Sequence, residues 1–401
     1  MAEHDIVFMH LCFYDAEKSN ISRANTPMSY TLKGLKILDF STLLPGPFAT
    51  LYLADLGAEV VHIESPTRPD LLRLMPPFAN GQATSQSYLN RNKQSVALDL
   101  KDPANIELVK SKIADYDIVI EQFRPGVMQR LGLDYLILSE INPKLIYCSI
   151  TGYGQTGTYK AKAGHDINYL ALSGIAGHSG RIESGPPALG IQVADVAGGS
   201  MHAVIAILAA VIERQRSGKG QYIDISMTDC VVTMNNLAAS ASLAGNQHQR
   251  PESGYLNGGT FYDYYATQDG RYLSIGSLEP QFMQGLAQLL ELPIILEKGT
   301  SFAPEDHAQV KQAIQDKIRS QPLAHWQMLF AQADVCVEPV LKLEEALRSE
   351  LAQQRGWVVQ VPLKMNDSEQ SQAQLACPIK FSRSAMRYDF IGQTLGEKQN
   401  W

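Results

Sequence analysis

The sequence reads as an α/β protein, with a doubly wound large domain followed by a smaller α+β domain. Three observations carry this reading. Between about residues 35 and 154, short runs rich in Val and Ile alternate with helical segments, the pattern of βαβ units. The segments between those runs are long enough for right-handed parallel crossovers rather than hairpins. From about residue 230 the texture changes to an Ala/Asn-rich helix, a Gly-containing aromatic stretch and paired helical runs.

The elements follow in order. Residues 1–30, including "AEKSNISRANTPMSY", are polar and unpatterned and read as an N-terminal extension. "LKILDFST" (35–42) is an apolar strand; "LLPGPFAT" opens a helix closed by Gly57, and "EVVHIES" is the next strand. "SVALDLK", "DIVIEQF" and "LIYCSITGYG" read as further strands, separated by the helices "ANIELVKSKIADY" and "GVMQRLGLDYLILSEINPK". A long helix from about Asp195 is closed by "SGKG", and "QYIDISM" is another strand. The predicted division is a large α/β domain over 31–228, a small domain over 229–345, and a C-terminal segment, 346–401. In that last segment "GWVVQVPL" and "CPIKFS" are candidate strands returning to a sheet. The sheet is Rossmann-like, but no G-x-G-x-x-G follows its first strand, and Pro45 removes an amide that a pyrophosphate would use. Nicotinamide and flavin binding are therefore not expected.

Composition narrows the function. The 401 residues are 45% hydrophobic and 19% charged, with a net charge of −7, so the basic footprint of a nucleic-acid partner is missing. Five scattered cysteines with no CxxC pair fit neither a disulfide framework nor a zinc site, and no metal is expected. A reduced, cytoplasmic setting is the simplest reading. No membrane association is expected either: the longest apolar run, "MHAVIAILAAVI", falls short of the roughly 18 residues of a spanning helix.

Three residues are candidates for chemistry. Asp195 stands where a helix begins, as an N-cap or as a carboxylate held ionised by the helix dipole, next to Gly198 and Gly199. His165, in "AGHDINYLALSG", reads as a buried imidazole among apolar and small residues, flanked by Gly164, Asp166 and Asn168. Glu279, in "GSLEPQF", follows a strand and precedes a proline; alone it is a loop carboxylate.

Taken together, "LKGLKILDFSTLLPGPFATLYLADLGAEVVHIE", "LNRNKQSVALDLK", "RPGVMQRLGLDY", "ITGYGQTG", "AGHDINYLALSG", "DVAGGSM" and "DGRYLSIGSLEPQF" form an ordered set. In this set the chain resembles the family III coenzyme A transferase superfamily, and most closely its α-methylacyl-CoA racemase branch. The resemblance implies that Asp195 is the aspartate common to transferases and racemases. It also implies that His165 and its partner Glu279 are the racemase additions, and that the backbone amide of Asp166 is the enolate donor. It assigns Leu98, Asp99, Leu100, Lys101, Gln122, Phe123, Arg124, Arg130, Asp166, Ile167, Asn168 and Tyr169 to the CoA site. An acyl-CoA is then the substrate, with no separate cofactor, in lipid metabolism. An interlocked homodimer is implied, in which Glu279 could come from the second subunit. The chain departs from the racemases at "ESP", where Ser65 replaces a common Arg that Arg68 could supply. Under a transferase reading, Gly258 and Gly259 could shield an acyl intermediate on Asp195.

Overall fold

The computed structural model describes residues 29–245, 249–301, 303–366, 369–399 and 401. The expected extension at 1–30 lies outside these but for its last two residues. Strands β1 (Lys36–Asp39), β2 (Glu59–Glu64), β3 (Phe78–Ala79), β4 (Gln82–Ala83), β5 (Lys93–Ala97), β6 (Ile118–Glu121), β7 (Ile146–Thr151) and β8 (Tyr222–Ser226) follow along the chain. Six of them form one parallel sheet in the order β5-β2-β1-β6-β7-β8, while β3 and β4 pair separately. The central strands are runs such as "IVIE" and "IYCSIT", buried along their whole length as strands covered on both faces must be. The chain winds outward from β1 through β2 to β5, returns, and continues from β6 to β8. The winding reverses between β1 and β6, and a crevice opens there at the strands' carboxyl ends.

The helices are set by local rules. Pro45 and Pro103 occupy first-turn positions where a missing N–H costs nothing. Asp102 and Asp134 cap helices Pro103–Lys112 and Tyr135–Ile141 through their side chains. Residues Leu98–Lys101, read as the end of a strand, are instead a turn after β5, in which Asp99 Oδ1 accepts the Lys101 N–H.

The long helix expected from about Asp195 to "SGKG" is present, and it begins with an unexpected winding. A π-helical segment, Ala194–Met201, runs directly into α-helix His202–Ser217. The joined element is long and apolar enough, by length and composition, to cross a membrane, so the expectation that no stretch reaches that length does not hold. In the fold one side packs on the sheet through Ala203, Val204, Ile207 and Ala210, while Ile205 (63%) and Ile212 (60%) remain exposed.

A second core forms around Phe261, Leu273, Ile275, Leu286, Ile314 and Trp326. Its antiparallel sheet joins β9 (Asp263–Ala266), β10 (Tyr272–Ile275) and β11 (Val337–Pro339), packed by helices Pro280–Leu290, Pro304–Arg319 and Leu323–Phe330. Helix Met227–Met234 packs on the large-domain core through Met227 and Val231, so that core continues past residue 228.

In the C-terminal segment, β12 (Val358–Pro362) pairs with β13 (Ser371–Leu375) as a separate hairpin. "CPIKFS" forms no strand, and Pro378 within it has no N–H for a ladder. The last residues run along the outer edge of β5: Ser95 donates its N–H to Gln393 Oε1 at 2.9 Å, and its carbonyl accepts the Lys398 N–H at 3.0 Å. An edge that could pair with another chain is thereby covered.

A buried ionic layer fastens these parts. Arg91 donates Nε to Asp55 Oδ1 at 2.9 Å and Nη2 to Asp55 Oδ2 at 2.5 Å, between the rings of Tyr88 and Tyr388. Its Nη1 reaches the Leu375 carbonyl at 2.6 Å, tying helix Pro45–Asp55 to the C-terminal hairpin. Removing one partner of such a pair leaves a buried charge alone. Arg91→Ala is expected to lower stability by about 3–5 kcal/mol in urea denaturation.

Candidate active site

The crevice between β1 and β6 continues into a cleft of about 310 Å³. Its floor is set by Gln122, just past β6. The Gln122 side chain donates to the Thr42 carbonyl at 2.6 Å and accepts the Gly46 N–H at 2.9 Å, clamping the turn after β1. A Cβ at Gly46 would lie 2.1 Å from Ser41 Cβ and 2.8 Å from Gln122 Oε1, so only glycine permits this approach. Phe123, Arg124, Lys160, Lys162, His165, Tyr169 and Asp195 line the same cleft.

His165 is the residue before helix Asp166–Leu172. Its N–H donates to Asn168 Oδ1 at 3.0 Å and its carbonyl accepts the Asn168 N–H at 2.8 Å. The imidazole is exposed, which corrects the expectation of a buried histidine. Tyr169 and Leu170 of the segment face the other way and join the core, and the Tyr169 hydroxyl donates to the Gly164 carbonyl at 2.6 Å.

Asp195 lies in the first turn of the π-helical segment and does not cap it. The cap comes from elsewhere: Asp166 Oδ1 accepts the Ala194 N–H at 2.6 Å and the Asp195 N–H at 3.0 Å. One carboxylate thus joins the helix that follows His165 to the one that carries Asp195. Burial first, and then the Asp166 charge, push the Asp195 carboxyl up to about 6, against the opposing pull of His165. Asp195 therefore populates both protonation states near neutral pH.

Of the residues read from sequence, this cleft gathers His165, Asp195, Gln122, Phe123, Arg124 and Tyr169. Asp166 and Asn168 act beside it as the ties just described. Ile167 is exposed and does not line it. Leu98, Asp99, Leu100, Lys101 and Arg130 also lie off it: Leu98 and Leu100 pack against the core, and Lys101 and Arg130 are exposed. Arg68 is exposed, and its backbone N–H donates to Ser65 Oγ at 3.2 Å. Glu279 is the exposed residue before helix Pro280–Leu290 in the second domain, and among the described residues no hydrogen bond or ion pair joins it to His165. Sequence reading missed Lys160 and Lys162, whose only signal is their position between "GYG" and "GHD". Among the described residues no cluster of His, Cys, Asp or Glu could hold a metal.

The model of CoA-transferase family III matches residues 32–397. An alpha-methylacyl-CoA racemase of Mus musculus is 36% identical over 327 residues, 81% of each chain. A succinyl-CoA:glutarate CoA-transferase of Mus musculus is 33% identical over 336 residues, 82% of this chain and 76% of that one. The crystal structure of a CAIB/BAIF family protein from Brucella suis superposes with a TM-score of 0.78 at 29% identity, covering 93% of this chain and 97% of that one.

If the Asp166 charge helps to raise Asp195, Asp166→Asn will lower the Asp195 pKa. The shift is read by carboxyl 13C NMR titration against Asp195→Asn; an unmoved titration would refute the coupling.

Proposed function

The chain belongs to CoA-transferase family III, whose members include racemases and CoA-transferases, and within it we propose that this enzyme is an acyl-CoA racemase or epimerase. It inverts the 2-methyl centre of a branched acyl-CoA by moving a proton through an enolate. The observation that carries the reading is one cleft lined by both an exposed imidazole and a carboxyl near pH 6, His165 and Asp195.

The chemistry follows from these groups. Inverting a carbon next to a thioester means taking a proton from one face and returning one to the other. Two groups do this if each is stable with and without its proton near working pH. A neutral imidazole accepts and an imidazolium returns; Asp195, raised by burial, does the same from the other face. The enolate oxygen takes the N–H of Asp166, which as the first residue of its helix has no carbonyl partner within it. Arg124, Lys160 and Lys162 supply cations for the CoA phosphates.

In this reading Glu279 fixes the His165 tautomer from a second subunit, in a homodimer. The exposed Ile205 and Ile212, and the lack among the described residues of a hydrogen bond or ion pair between Glu279 and His165, support that arrangement. Lipid metabolism in a cytoplasmic setting completes the proposal, with no cofactor beyond the substrate's own CoA.

The test is α-proton exchange. Incubated in D2O with one epimer of a 2-methylacyl-CoA, the enzyme is expected to incorporate deuterium and form the other epimer. His165→Ala and Asp195→Asn should each slow epimerisation by about 10²–10⁴-fold. No exchange in the wild-type chain, with hydroxylamine trapping an acyl group on Asp195, would make it a transferase instead. Subunit mixing reads the dimer: His165→Ala and Glu279→Ala chains, each weak alone, are expected to regain activity when refolded together.

A further inference from the structure

A second, open chamber of about 290 Å³, lined by Tyr135, Tyr147 and Tyr222, shares Arg124 and Pro125 with the cleft. At its base is Glu121, the last residue of β6. Register places Glu121 opposite Ser149 of β7, and Ser149 opposite Asp224 of β8, one row across three strands. The Glu121 carboxylate accepts the Phe123 N–H on Oε2 at 2.8 Å and the Ser149 hydroxyl on Oε1; Ser149 Oγ in turn accepts the Tyr222 hydroxyl at 3.0 Å. Neither the proton transfer nor the cleft lining described above uses this acid.

We propose that Glu121 is a positioning residue for the Gln122–Arg124 loop, and that its carboxylate couples the cleft's affinity for CoA to proton concentration. The proposal rests on the reading that this cleft holds CoA. The bond to Phe123 bends the backbone immediately after β6. That bend presents Gln122 to the turn at Thr42 and Gly46 and sets Phe123 and Arg124 at the cleft. A carboxylate can accept from Phe123 and Ser149 together. A neutral acid must spend one oxygen as a donor and holds the loop less well.

Burial raises Glu121 to about 7 despite its two hydrogen bonds, with Asp224 adding to the rise. The groups facing it are Asp224 and Tyr222 from β8, Tyr147 and Cys148 from β7, and Asp134 and Arg124 at the chamber's edge. The carboxylate therefore forms as pH rises through neutrality, and the loop is tethered on the alkaline side.

Calorimetric titration of the full chain with CoA separates the outcomes. The wild type is expected to lose affinity, by up to about tenfold per pH unit, as pH falls below the Glu121 titration. Glu121→Gln, a non-titrating mimic of the neutral acid, should stay at the low-pH wild-type affinity throughout, so this break in its profile should vanish while the contribution of Asp195 persists. Glu121→Ala should bind weakly at every pH. Ser149→Ala, which removes a donor to the ionised form, should move the break to higher pH. A Glu121→Gln profile with the wild-type break would overturn the proposal even if the alanine variant fails to fold. A wild-type chain that binds no CoA overturns the CoA reading and this proposal with it. Normal CoA binding with unaltered Glu121 variants overturns this proposal alone.

Discussion

The geometry of the cleft depends on one hydrogen-bonded tie, the Asp166 carboxylate at the amides of Ala194 and Asp195. Hydrogen bonds to a charged group contribute about 1.5–3 kcal/mol, and these satisfy donors that the start of any helix leaves open. Their larger effect is geometric. His165 precedes Asp166 directly, so fixing the Asp166 side chain fixes the backbone that carries the imidazole relative to the turn that carries Asp195. The same charge raises Asp195, so position and acidity come from one group.

Much of the fold was legible because it rests on local signals. The Val/Ile runs of β1, β6 and β7, the first-turn prolines and the aspartate caps each act within a few residues. The illegible parts are those set by distant contacts. "CPIKFS" carries β-type residues, yet β12 pairs with Ser371–Leu375, a polar stretch, and no period in the sequence records that choice. The long helix from Asp195 to "SGKG" was visible, but the π-helical winding of its first turns was not. In the site, the pairing of His165 with Asp195 was readable only from the ordered motifs. The role of Asp166 joins positions 28 residues apart and leaves no local trace.

The same distinction explains the ionic layer beneath the crevice. Asp39 accepts hydrogen bonds from Ser41 and Thr50, faces Lys93 at 3.6 Å, and is bracketed with Glu64 about the buried His62. Burial alone would raise the Asp39 carboxyl, but Lys93, His62 and Ser41 outweigh it and hold it well below the ordinary carboxylate range. Lys93, pulled down to about 8 by burial, also donates to the Pro47 carbonyl at 2.9 Å. A layer so costly to desolvate is a poor source of net stability. It does fix the ends of β1, β2 and β5 against the turn that Gln122 clamps, which is what a cleft at the switch point requires.

That rigidity bears on the choice between the two reactions of the family. As a transferase nucleophile, Asp195 needs only its ionised form, and a carboxyl raised to about 6 is mostly in that form near neutral pH. In proton transfer both forms are needed, because the group that accepts in one direction donates in the other. The burial and the neighbouring Asp166 charge cost the first mechanism little and bring Asp195 closer to what the second requires. The racemase proposal also gives a use to the imidazole in the same cleft, which is held through its neighbour's carboxylate to the helix of the aspartate. In the proposed reading these two groups, His165 and Asp195, share one carbon between them.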